Sequence, residues 1–278
     1  MTDPEAVLVV IPVHNRWQKT YACLHSLSGH CPRGFQMLVV DAGSSDGTKE
    51  LLPGHFPKVA YLPGEAHWFW ARAIEEGVKW GLERDFRQFI LLNNDTVCPE
   101  GFLEKMHRFH QQHPYALHTC LFQSLQQGQL YYPGVQVVWA THWYRSPQQN
   151  QWAGFRPNHL PGRALWVPAE VFRLKGVMDT ERLPHYLADY DLTCQAAKNG
   201  FALLVDRTNT VGFDPKASND YRIRQQKNWS GYREHLFGMK GAGNLLFFMR
   251  YALRNCPVGW LPFFLVIGSV KRIIGYWL

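Results

Sequence analysis

Short β-branched runs, each followed by a stretch at helical spacing, fill the first hundred residues and leave few folds open. Ala6–Val13 is apolar almost throughout, as a strand covered on both faces must be. Trp17, Tyr21, Leu24 and Leu27 then recur at helical spacing until Ser28-Gly29. Met37–Val40, Lys58–Leu62 and Gln88–Leu92 read as further strands, with helices over Lys49–Leu52, over 68–82 and after Pro99. This alternation predicts an α/β fold with a mostly parallel, doubly wound sheet. Residues 115–165 are Gln- and Trp-rich and suggest a mixed or antiparallel extension. Pro168–Lys175 and Asp189–Asn199 look helical, the second closed by Gly200 in a left-handed turn, and Phe201–Val205 reads as a last strand.

Charge divides the chain. The net charge is +7, yet residues 216–278 hold ten Lys/Arg against two Asp/Glu, whereas residues 1–215 hold nineteen against twenty. A near-neutral body over 1–215 and a helical, aromatic, basic C-terminal extension over 216–278 are therefore expected. The six cysteines form no CxxC pair, which excludes a zinc module and a disulfide framework and fits a reducing, cytoplasmic compartment. The opening residues lack a basic leader and lead into the first strand. In the tail, Pro257–Val270 falls short of the ~20 residues of a membrane span and contains Pro262. Aromatic and basic residues on an amphipathic helix instead describe an interfacial element, set against a hairpin packed on the body or on a second subunit.

In an open parallel sheet, ligands bind where the strands end and strand order switches. Polar clusters stand at three such ends: Pro12–Arg16, Asp41–Thr48 and Asn93–Thr96. Asp41 offers an acceptor to a base or ribose, Gly43 and Gly47 allow close backbone approach, and Asp95 with Asn93 offers hard oxygen ligands to Mg²⁺ or Mn²⁺. Neither GxGxxG nor GxxxxGK[ST] occurs, so a dinucleotide fold and a P-loop are unsupported.

Four segments in order, Val10-Ile-Pro-Val-His-Asn-Arg16, Val40-Asp-Ala-Gly-Ser-Ser-Asp-Gly-Thr48, Leu92-Asn-Asn-Asp-Thr96 and Leu187-Ala-Asp-Tyr-Asp-Leu192, resemble the motifs of family 2 glycosyltransferases. The resemblance runs from residue 7 to about 215 and implies a Rossmann-like GT-A fold. It also implies inverting transfer of a sugar from a nucleotide diphosphate sugar to an acceptor hydroxyl on a glycan or a lipid-linked glycan. By the same resemblance Pro12, His14, Asn15, Arg16 and Asp41 hold the nucleoside, and Arg72 and Asn94 border the donor. Asp95 holds the metal with Asn93, and Asp214 stands where relatives place a histidine ligand. Asp189 becomes the general base, with Asp191 the runner-up and His185 a contact to acceptor or diphosphate. Ala188 replaces the Glu that usually precedes the base.

Trp139, Trp143 and Trp152 are candidates to stack on an acceptor sugar. They are better candidates than Trp68, Phe69 and Trp70, which read instead as a helix core face. With the tail on an anionic membrane, the expected setting is surface polysaccharide synthesis at the inner face of the cell membrane. A nucleotidyltransferase ranks lower, because the loop after the first strand is not Gly- and basic-rich. The non-enzymatic alternative is a nucleic-acid-binding protein whose basic aromatic tail grips the ligand, against which stands a body without a basic groove.

Overall fold

A computed structural model describes residues 6–29, 31–217 and 219–278; Met1–Glu5, His30 and Ser218 lie outside it. The strands are β1 (Val7–Val13), β2 (Phe35–Asp41), β3 (Ala60–Pro63), β4 (Gln88–Leu91), β5 (Thr96–Val97), β6 (Ala116–Ser124), β7 (Leu130–Tyr131), β8 (Gln136–Val138), β9 (Trp143–Arg145), β10 (Leu165–Pro168) and β11 (Ala202–Phe213). The α-helices are α1 (Trp17–Ser28), α2 (Thr48–His55), α3 (Trp70–Leu82), α4 (Phe102–Gln112), α5 (Ala169–Lys175), α6 (Ala188–Lys198), α7 (Asn219–Gln225), α8 (Trp229–Phe237), α9 (Leu245–Asn255) and α10 (Leu261–Gly275).

One sheet runs in the order β3-β2-β1-β4-β10-β6-β11-β5, with β7 beside β6. Its first four strands are parallel, as the alternation predicted. The second half is mixed: β10 is antiparallel to β4 and β6, while β6 and β11 pair in parallel. The last strand is longer than Phe201–Val205, because a bulge between Asp206 and Thr210 lets β11 continue to Phe213.

Alternate residues of β1 enter opposite cores, the signature of a strand covered on both faces. Leu8 and Val10 pack with Ile74 and Val78 of α3, whereas Val7, Val9 and Ile11 pack with Leu24 and Leu27 of α1 and with Met106 of α4. Gly77 lets α3 lie close on the sheet, since a Cβ there would come within 2.5 Å of the Val10 side chain.

The tail is fastened to the body. Phe247, Phe248, Tyr251 and Phe264 form a third core with Val135, Val137, Leu183 and Ala188. Tyr251 hydroxyl and His159 Nε2 share a hydrogen bond at 2.5 Å. Pro262 does not interrupt the last helix: it occupies the first turn, where a missing N–H is harmless, and α10 continues to Gly275. Val258–Gly275 is thereby long and apolar enough, at mean hydropathy 1.5, to cross a membrane by length and composition alone. All six cysteines are free.

Candidate active site

Strand order reverses between β1 and β4, and a cleft of about 630 Å³ opens at their carboxyl ends. The loop after β1 turns sharply, with Asn15 and Arg16 at φ 56° and 66°. The loop after β2 holds it there. Asn15 N–H donates to Ser44 Oγ at 2.7 Å, Ser45 N–H donates to Asn15 Oδ1 at 2.9 Å, and Trp17 N–H donates to Asp46 Oδ2 at 2.7 Å. His14 Nδ1 lies 2.8 Å from the Ala42 carbonyl. Pro12, His14, Asn15 and Arg16 thus form one wall of the cleft, as the strand-end argument required.

Asp41 stands behind that wall rather than in it. Its carboxylate is 2 % exposed and accepts from Ser44 N–H and Tyr61 Oη–H, both at 2.9 Å. Its visible work is to shape the loop in which Ala42 lines the cleft.

The loop after β4 divides its three polar residues. Asn93 Oδ1 accepts from Trp70 Nε1 at 3.0 Å, and Asn94 Nδ2 donates to Thr20 Oγ1 at 3.0 Å. Asp95 Oδ1 accepts from Arg163 Nη1 at 2.8 Å, an ion pair whose side chains are only 11 % and 16 % exposed. Arg163 also lies over the Phe213 ring, 5.2 Å from its centre.

Across the cleft, Asp189 lies in the first turn of α6, one residue beyond Ala188; Leu187, not Asp189, is the cap. Its Oδ2 accepts from Gly162 N–H and its Oδ1 from Tyr190 N–H, both at 2.9 Å. Burial raises its carboxyl above the ordinary range, and those two N–H groups pull the other way. Gly162 must be glycine here: a Cβ would come within 2.5 Å of the Trp70 ring and 3.2 Å of Asp189 Cβ. His185 is half-buried on the same wall, and its Nδ1 has no hydrogen-bond partner among the described residues. Burial, with Lys240 and Arg16 nearby, lowers its pKa to about 4, so the ring is neutral at pH 7.

Three sequence candidates face elsewhere. Asp191 Oδ1 accepts from Arg254 Nε at 2.9 Å and from Asn255 Nδ2 at 2.7 Å, because two residues along the same turn swing its side chain to the opposite helix face, toward α9 and away from the cleft. Arg72 pairs with Glu75 and Glu76 one turn along α3, each at 2.9 Å. Asp214 accepts from Gln126 Nε2 at 3.1 Å and from Lys216 N–H at 2.9 Å, outside the cleft lining.

Residues 8–165 match the sequence profile of glycosyl transferase family 2. The chain belongs to that family. No curated protein matches it by sequence. Among solved structures it is similar to GalNAc-T7 with UDP, GalNAc and Mn²⁺ (14 % identity, TM-score 0.62, covering 97 % of this chain). This chain spans only 56 % of that one. The mannosyltransferase PcManGT from Pyrobaculum calidifontis, in complex with GDP-Man and Mn²⁺, is also similar (15 % identity, TM-score 0.61, covering 99 % of this chain and 73 % of that one). So is S. aureus TarS 1-349 (12 % identity, TM-score 0.56, covering 97 % and 80 %). At these identities the likeness establishes the GT-A fold.

For this family 2 member, several cleft residues carried no motif signal. Arg163 follows Pro161-Gly162 in the irregular middle of the chain. Arg222 and Lys240 come from the basic extension yet line the cleft, so part of the tail's charge faces the site and the boundary at 215 cuts through it. The aromatic lining comprises Trp68, Phe69, Trp70, Phe122 and Tyr186. Trp139 instead packs against Phe264 and Tyr251, Trp143 lies exposed beside Lys271, and Trp152 lines a separate cavity with Tyr132.

Proposed function

We propose that this chain moves a glycosyl group from a nucleotide diphosphate sugar to an acceptor hydroxyl, with inversion at the anomeric carbon. One observation carries the reading: the carboxylate of Asp189, facing Asp95 at the strand ends, shares one cleft with a cationic wall at the switch point. In the step, the acceptor hydroxyl gives its proton to Asp189 as its oxygen bonds to the anomeric carbon. The bond from that carbon to the diphosphate breaks, and the electron pair leaves with the diphosphate. Arg16, Arg163, Arg222 and Lys240 line the cleft and would offset the growing negative charge. The N–H groups of Gly162 and Tyr190 hold both Asp189 oxygens, so the base is oriented before the acceptor arrives.

A divalent cation fits this donor set. Mg²⁺ and similar ions are ordinarily held by one or two carboxylates together with substrate phosphates, and Asp95 supplies one carboxylate at the strand end. Asp95 and Asn93 would hold it, and Asp214 would not, being turned to Gln126. When bound, the ion would withdraw charge from the leaving diphosphate.

The acceptor we favour is a glycan, free or lipid-linked, built at the inner membrane face into a surface polysaccharide. Support comes from the tail. Phe263, Val266, Val270, Ile274 and Trp277 recur three or four residues apart and remain exposed on α10 and just beyond it. The tail's cations mostly turn inward. Lys271 donates to the carbonyls of Thr141 and His142, Arg272 lies over the Phe248 ring, and Arg224 and Lys227 donate to the carbonyls of Gly275 and Tyr276. Lipid contact would therefore rest on the apolar stripe more than on charge.

Screening a panel of nucleotide diphosphate sugars for thermal stabilisation, with Mn²⁺ and with EDTA, tests the reading. Stabilisation by one nucleotide class supports it; no shift with any donor under either condition contradicts it.

A further inference from the structure

The contact between Arg163 and Asp95 carries an inference about the order in which the cleft fills. Asp95 is the one carboxylate of the strand-end motif, and its Oδ1 is already engaged by Arg163 Nη1 at 2.8 Å. The pair is mostly buried, and Arg163 is held on its other side by the Phe213 ring. A divalent ion approaching Asp95 alone would meet a guanidinium on the same carboxylate, and two cations so close in a poorly hydrated site repel. A diphosphate changes the balance. It is the better partner for a planar guanidinium, which binds phosphate oxygens through two parallel N–H bonds. It also supplies oxygens that an ion needs beyond a single carboxylate.

We infer that Arg163 is the counter-ion of Asp95 in the donor-free protein and passes to the diphosphate when the donor binds, so that Asp95 becomes a cation ligand only with donor present. Arg163 is thus a positioning residue that couples the two ligands. The coupling is reciprocal: whatever frees Asp95 favours the ion, and whatever frees Arg163 favours the diphosphate. The inference rests on the reading of the cleft as a donor site for a nucleotide diphosphate sugar.

Mn²⁺ binding to the full chain, followed by electron paramagnetic resonance without nucleotide, tests it. Wild type binds weakly, and Arg163→Gln binds at least about tenfold tighter, a gain that Asp95→Asn cancels in the double variant. Arg163→Lys, which keeps the charge, stays near wild type. The reciprocal arm keeps Arg163 and uses the near-isosteric Asp95→Asn with inorganic pyrophosphate in EDTA. This variant binds pyrophosphate about tenfold tighter than wild type, and adding Arg163→Gln abolishes the gain. If Arg163→Gln gains no Mn²⁺ affinity, or Asp95→Asn gains no pyrophosphate affinity, the coupling is overturned. That failure is distinct from failure of the donor reading, which shows as no stabilisation of wild type by any nucleotide diphosphate sugar.

Discussion

The N–H of Gly162 donates to Asp189 Oδ2 at 2.9 Å. The next side chain, Arg163, reaches the opposite wall and holds Asp95. Two residues of one loop therefore orient Asp189 and engage Asp95, and Trp70 packs against Gly162 and is hydrogen-bonded to Asn93.

Gly162→Ala places a methyl where the Trp70 ring and Asp189 Cβ already are. Overpacking of this kind costs about 1–3 kcal/mol, and the displaced Asp189 loses its N–H donor. We expect a lower urea midpoint and a fall in kcat larger than the rise in KM for donor. Unchanged kcat would show that the Gly162 contact does not set the base.

Asp191 belongs to the joint between body and tail. Its partners Arg254 and Asn255 lie on or at the end of α9, where Gln195 Nε2 also donates to Asn255 Oδ1 at 2.9 Å and Lys198 Nζ to the Asn255 carbonyl at 2.8 Å. Asp191→Asn should lower stability by about 1.5–3 kcal/mol, the range for a hydrogen bond to a charged group. Transfer should stay within about threefold of wild type. A loss of transfer at full stability would return Asp191 to the role of base.

The first strands, the strand-end loops and the acid at the start of α6 were legible because each depends on local pattern: β-branched runs, turn residues, an acid after a helix cap. What separates Asp189 from Asp191 is rotation about the helix, and only the packing of α9 shows which acid faces the cleft. Arg163 was silent because its partner lies 68 residues away and nothing near it repeats. Arg222 and Lys240 counted as surface charge until the fold brought them into the lining of the cleft. Pro262 looked like a breaker because a sequence window does not show that a helix begins there.

Four histidines make stability depend on pH, and burial beside His110 and His113 holds one of them, His118, well below its ordinary value. Burial lowers the pKa of His142 to about 3, with Arg272 and Lys271 adding to it, that of His159 to about 3 and that of His185 to about 4. Unfolded, each takes up a proton near its ordinary value of 6.5, whereas the folded chain refuses it until those lower values. Stability is therefore full above about pH 6.5 and falls as pH drops toward 4. Asp189 and Asp191, whose carboxyls burial raises, act in the opposite sense nearer the carboxylate range. Tm measured across this window should decline; a flat or rising Tm would contradict these environments.

Co-sedimentation with vesicles tests the outer face of α10. Binding should persist at high salt and in phosphatidylcholine as well as phosphatidylglycerol, because the exposed stripe is apolar and Lys271 and Arg272 point inward. Phe263→Glu with Val266→Glu should release the protein. Salt-labile binding to anionic vesicles alone would give the role back to charge, and a dimer that buries this stripe would replace the membrane with a second copy.

The central claim is that Asp189 takes the acceptor proton. The direct measurement is single-turnover transfer by Asp189→Asn beside wild type, with donor binding followed in the same samples and the wild-type rate taken against pH. The account predicts donor affinity within about threefold of wild type and transfer reduced by at least about 10²-fold. It also predicts a wild-type rate that falls on acidification with a midpoint above the ordinary ~3.9 of an Asp carboxyl. Transfer at the wild-type rate by Asp189→Asn would contradict it.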